Sequence, residues 1–183
     1  CNARSDSRGY CMSLSRTAVS GVIVLAIIAI VAGCGSSEDI TFEPLTVEEV
    51  SGEALWKRIA VDSDYRDYPQ WPNHEGRRPG QAPHGVFHEI YINSTLAEAL
   101  DADPEAAPNG TIIVKDSYNA EEELTAVTVM AKVEDFAPDS GDWYWAIYSP
   151  VGEPLRAGNL HGCITCHAGM KDNDYIIVQQ LSQ

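Results

Sequence analysis

An α+β fold, mainly β and built on an antiparallel sheet with a few helices, is what this sequence predicts, on three observations. Five stretches are rich in β-branched and aromatic residues and bounded by turn residues: Val86 to Ile92, Thr111 to Lys115, Leu124 to Val133, Trp143 to Tyr148 and Tyr175 to Gln179. Their connections are short, which favours antiparallel pairing because parallel strands need long crossovers. Helical signals are confined to two capping boxes, Thr46 with Glu49 and Thr95 with Glu98.

Taken in order, the chain opens on a targeting pattern. Gly21 to Ala32 reads GVIVLAIIAIVA, too short for a mature transmembrane helix but suited to the apolar region of a signal peptide, with Arg16 as its positive flank. The segment is complete from Met12, so residues 1–11 are read as upstream sequence. Val31, Ala32, Gly33 and Cys34 look like a bacterial lipobox, which predicts cleavage before Cys34 and lipidation of its thiol; the alternative is an ordinary secretory signal in which Cys34 is incidental. On either reading the product is exported, as a periplasm-facing lipoprotein of the cell envelope or a periplasmic protein.

Residues 34–44 are predicted to tether a single domain spanning 45–183. Leu45, Val50, Leu55 and Ile59 give an apolar face to a helix expected near 46–60. Residues 62–85, rich in Pro, Gly, Asp and Asn and carrying Trp71 and two histidines, read as a long loop of the kind that often serves function. A short helix follows Thr95, and residues 157–173 form a loop between the last two predicted strands.

The chain has 12 Lys and Arg against 27 Asp and Glu. Removing residues 1–33 takes away three Arg and one Asp, leaving 9 basic and 26 acidic residues. Such a balance disfavours nucleic acid as a partner and suits a basic soluble redox partner steered by charge, or plain solubility.

Chemistry concentrates in Cys163, Ile164, Thr165, Cys166 and His167. Two thiols three positions apart can each add to a haem vinyl group, and the adjacent histidine then serves as the proximal iron ligand. A zinc site would need a second ligand pair, and a redox dithiol would follow a strand in a βαβ pattern; this sequence supplies neither. With these two cysteines committed to haem c and Cys34 to lipid, no structural disulfide is expected.

The segments PHGVFHEIYIN, NGTIIVKDSY, LTAVTVMAKVEDF, SGDWYWAIYSPVGEP and CITCHAGMKDNDYII, in this order over residues 83–178, resemble the cytochrome P-460 family, which includes the cytochromes c′-beta. The resemblance implies a curved antiparallel sheet with helices rather than a four-helix bundle, usually in a homodimer, with one haem c per chain. It implies that His167 is the proximal ligand and that the distal side is open to small nitrogen compounds. One branch oxidises hydroxylamine and links a lysine to a haem meso carbon; the lysine matching that motif is Lys115. The other binds nitric oxide or carbon monoxide in an apolar pocket. Electrons would pass to a soluble carrier cytochrome or cupredoxin.

Proton removal from hydroxylamine calls for a distal acceptor, and Glu153, Arg156 and His161 are the nearest candidates in sequence, Arg156 being a hydrogen-bond donor rather than a base. Phe87 and Phe136 are candidates for an apolar wall, or for plain core packing. His84 and His88 flank the same predicted strand, as ligands or as hydrogen-bonded structural residues. A third class is an electron-transfer cytochrome closed by methionine. Met170 lies too near His167 to reach the other face of the ring, and Met130 sits in a predicted strand.

Overall fold

A computed structural model describes residues 43–181. The signal-like segment, Cys34 and the tether up to residue 42 lie outside the described residues. The elements are α1 (Gly52–Ala60), β1 (Arg78–Pro79), β2 (Phe87–Ile92), α2 (Ser94–Leu100), β3 (Ile112–Tyr118), β4 (Leu124–Lys132), β5 (Trp143–Tyr148), β6 (Pro154–Gly158) and α3 (His161–His167). The six strands form one open antiparallel sheet in sequence order, as short connections require. Register shifts at Ser117/Tyr118 and Ile147/Tyr148 leave one extra residue on the partner strand, Thr125 on β4 and Leu155 on β6, and bend those strands locally. The architecture is α+β, mainly β, and not a helical bundle.

The central strands β2 to β5 alternate their side chains between two faces, and each face has its own core. On the first, α1 brings Leu55 and Ile59 down onto Tyr91, Val114, Val127, Val129, Tyr144, Ala146 and Tyr148. The second gathers Ile90, Ile92, Ile113, Met130, Trp143 and Trp145 under Trp71, Leu96, Tyr175, Ile176 and Leu181. The register puts Ile90, Lys115, Thr128, Ile147 and Arg156 in one row across this second face.

Several boundaries differ from the sequence expectation. The first helix starts at Gly52, not near Thr46: Ser51 caps it by accepting from Ala54 N at 3.0 Å, while Thr46 and Glu49 close a separate turn before it. Gly52 lets this end approach β6, since a Cβ there would sit 3.0 Å from Pro154 Cβ, and its carbonyl accepts from Tyr148 OH at 2.8 Å. Asn93, not Thr95, caps α2. The strand holding Lys115 runs on to Tyr118, which puts the lysine mid-strand.

Residues 175–179 are not a strand. Asp174 and Tyr175 take φ of 52° and 64°, outside the extended region, and the Asn173 side chain donates to the carbonyls of Ile176 and Gln179 and accepts from Leu181 N, all at 2.7 Å. The sixth strand is instead Pro154–Gly158. The expected 157–173 loop begins in β6 and then forms α3 and a 3₁₀ turn, Ala168–Asn173.

Candidate haem site

The second face of the sheet carries a cleft of about 410 Å³, within the range of small-molecule and cofactor pockets. Its walls come from the segment between β1 and β2 (Pro79 to His84), from His88 and Ile90 on β2, from Lys115 on β3, from Cys166 and His167 on α3, and from Ile177 and Val178. His74 and Arg78 stand at its edge. None of the described residues lining it is acidic, in a chain whose acidic residues outnumber basic ones by more than two to one.

His167 is buried against Trp145, ring centres 4.7 Å apart, and its Nδ1 lies 2.7 Å from Tyr175 O. A carbonyl only accepts, so Nδ1 carries the proton and Nε2 keeps a bare lone pair, the arrangement that a metal-ligating imidazole requires. Burial lowers the His167 pKa, opposed by that hydrogen bond and aided by the Lys115 charge. The unusual backbone at Asp174 and Tyr175 that aims this carbonyl is pinned by the Asp174 carboxylate, which accepts from Lys132 Nζ at 2.7 Å and from Ala107 N at 2.9 Å. Trp143 Nε1 adds a bond to Asp174 O at 2.8 Å.

Cys163 and Cys166 are free thiols on the seven-residue helix α3, which ends at His167. Burial raises the Cys163 pKa, with Arg156 opposing. The residues fit a covalently held haem: two unpaired thiols at vinyl spacing, a buried imidazole with its Nε2 bare, and a cleft beside them.

Lys115 reaches the cleft from the middle of β3, and burial brings its amine down to about 8. Among the described residues it has no carboxylate partner. Burial also lowers His84, to about 4, with Lys115, His167 and His88 adding to the effect. His88 is lowered by burial and by Lys115, and its Nδ1 is buried without a hydrogen-bond partner. Ser117 Oγ, opposite His88 in the register, and Trp145 Nε1 are likewise buried and unpartnered. Buried polar groups are rarely left so, and three of them on one face mark a surface shaped for something other than packing.

The remaining candidates fall elsewhere. Phe87 shares a face with Glu89 and Tyr91, across the sheet from His88 and Ile90, so it does not line the cleft. Phe136 packs edge-on against Tyr144, ring centres 5.0 Å apart, beside the first core. Glu153 sits in the β5–β6 turn and His161 at the start of α3, both exposed and outside the cleft. Arg156 is exposed too; it lies on the cleft's face of the sheet but three strands from Lys115, roughly 14 Å by strand spacing. Met130 packs in the second core, and neither it nor Met170 lines the cleft. Sequence reasoning gave His84 and His88 only a minor place, because nothing local shows that a loop residue and a strand residue meet at one cavity.

The family model for cytochrome P460 matches residues 63–178, from the segment before β1 through α3 to Val178. The chain belongs to the cytochrome P460 family. A comparison with curated proteins gives no match. As a cytochrome P460 it is a haem-binding cytochrome, and the matched span contains every residue lining the cleft.

Proposed function

We propose that this cytochrome is an exported c-type haem protein that takes a small nitrogen compound into the cleft and oxidises hydroxylamine, its haem modified by Lys115. The observation that carries this reading is the Lys115 amine, buried beside Cys166 and His167 with no carboxylate to hold it charged. An amine so desolvated is largely neutral at mildly alkaline pH and therefore nucleophilic. Such an amine would supply the nucleophile for a bond to the haem ring.

Haem held here supplies an iron that coordinates the nitrogen compound and accepts its electrons. Cys163 and Cys166 would hold the group through thioethers, and His167 would offer Nε2 to its iron. His88, with Nδ1 unpartnered at the cleft, is the side chain best suited to accept protons from hydroxylamine. Electrons then leave to a soluble carrier, a cytochrome or cupredoxin, for which the acidic surface suits a basic partner. Export, a lipid anchor at Cys34 and assembly as a homodimer belong to the same proposal, supported by the signal-like segment and by family resemblance.

A second reading, nitric oxide or carbon monoxide binding without turnover, is favoured by the apolar Ile90, Ile177 and Val178 in the same cleft. A methionine-closed electron carrier has no such support, since both methionines of the domain lie off the cleft.

Steady-state oxidation of hydroxylamine by the unmutated protein and by Lys115→Met separates the two. Turnover in the first and its loss in the second supports the enzyme; ligand binding without turnover in both supports the gas-binding reading.

A further inference from the structure

Resting on the reading that His167 ligates haem in this cleft, we infer that Lys132 and Asp174 form a remote positioning pair for that ligand. By fixing the carbonyl that accepts from His167 Nδ1, the pair strengthens the iron-histidine bond and holds the iron's reduction potential down. The pair is close and sheltered: Lys132 Nζ lies 2.7 Å from both carboxylate oxygens, and the two side chains are only 13% and 8% exposed. Lys132 is the last residue of β4 and sits 4.9 Å over the ring of Trp143, its pairing partner on β5. A lysine so shielded, its charge answered by a carboxylate, is a fixed part of the structure rather than a solvated surface group.

The backbone that the pair holds needs holding. Asp174 and Tyr175 both take positive φ, 52° and 64°, and for an aromatic residue such as Tyr175 that region is sterically costly and persists only where the surroundings enforce it. The peptide between them is gripped at both ends: Trp143 Nε1 donates to Asp174 O at 2.8 Å, and Tyr175 N donates to Met170 O at 2.8 Å. Gly141 leaves the turn its room, since a Cβ there would sit 3.0 Å from the Tyr175 ring and 3.1 Å from Asp174 Oδ1. The Asp174 carboxylate then ties the turn to Lys132 on the sheet, to Ala107 N before β3 at 2.9 Å and, at 3.3 Å, to the same Trp143 indole.

Tyr175 O is the next carbonyl along, and it accepts from His167 Nδ1 at 2.7 Å. A short hydrogen bond of this kind fixes the ring's orientation and makes its other nitrogen more basic, which favours the ferric state of an iron bound there. Lys132 does not line the cleft, and its ammonium is bonded to Asp174, so its influence on the iron runs through the turn. Without that ammonium a buried carboxylate is left uncompensated, the turn relaxes, and Tyr175 O moves off Nδ1.

The test uses the haem-loaded protein and reads two quantities, the iron-histidine stretching frequency of the ferrous state by resonance Raman spectroscopy and the reduction potential. Lys132→Met is expected to lower the frequency, and Lys132→Arg, which keeps the charge, to hold it near the unmutated value. Lys132→Met combined with Asp174→Asn leaves the net charge unchanged and no carboxylate unpaired, so fold and long-range field are kept; it is expected to lower the frequency and raise the potential. Asp116→Ala, which breaks a buried ion pair under the other face, controls for general loosening and is expected to move neither reading. The inference is overturned if the double variant keeps the unmutated frequency or potential, or if Asp116→Ala shifts them as much. Haem staining after denaturing electrophoresis separates the two levels of claim: no attached haem in the unmutated protein defeats the parent reading and this inference with it, whereas attached haem with unmoved readings defeats this inference alone.

Discussion

Lys115 and Asp116 are neighbours on β3, face opposite sides of one sheet, and are treated in opposite ways. Asp116 is fully buried, yet its carboxylate accepts from Tyr65 OH at 2.7 Å, from Arg66 Nη2 at 3.0 Å and from Tyr118 OH at 3.3 Å. Tyr118 and Tyr91 extend the network to Glu89. Burial still pushes the Asp116 pKa up, against these donors. Lys115 meets no such provision, and around it His88 Nδ1, Ser117 Oγ and Trp145 Nε1 are left unpartnered. A satisfied buried network makes the first face rigid, and an unsatisfied one is destabilising unless a ligand completes it. The contrast assigns stability to the face under α1 and chemistry to the face under α3.

The largest expected effect falls on the second face. Cys163→Ala with Cys166→Ala should abolish thioether-bound haem, read as loss of haem stain after denaturing electrophoresis; stain that persists and then disappears when Lys115→Met is added would instead reveal the lysine link.

Next come the two neighbours themselves. Asp116→Ala strands the buried Tyr65 hydroxyl and removes the partner of Arg66, and should cost about 3 kcal/mol in urea denaturation. Lys115→Met in the chain lacking both haem cysteines should act in the other direction, stabilising it by at most about 3 kcal/mol near neutral pH, as the fall of the amine from 10.5 to about 8 implies. Destabilisation by both would dissolve the contrast.

The pH dependence sharpens it. Between about pH 8 and 10.5 the unfolded chain still binds the lysine proton that the folded chain has released, so the stability of the cysteine-free chain should rise with pH across that window. Below it both states carry the proton and the penalty is constant. In Lys115→Met the rise should vanish. The smallest effects belong to Glu153→Gln and His161→Ala, exposed and outside the cleft, which should change stability by under about 0.5 kcal/mol and leave the haem spectrum unaltered.

What the sequence shows of this molecule follows from which signals are local. β2 to β5 are legible because their β-branched and aromatic residues are buried on both faces. β6 is not, because PLRAG is an exposed outer strand with no such composition, while the apolar run after Asp174 imitates a strand although Asn173 binds it as an irregular cap. CITCH is legible because thioether chemistry demands its spacing. The resemblance points to Lys115, but its burial is a tertiary fact, as are the meeting of His84 with His167 and the turning of Phe87 to the far face. Strand alternation says that Phe87 and His88 face apart, never which of them meets the cleft.

The most direct test of the division between faces is the optical spectrum of the dithionite-reduced protein beside that of Lys115→Met. The account predicts a broad, strongly red-shifted ferrous Soret band in the unmutated protein that reverts to an ordinary c-type band in the variant. Identical spectra would contradict it, leaving Lys115 a buried amine that never reaches the haem.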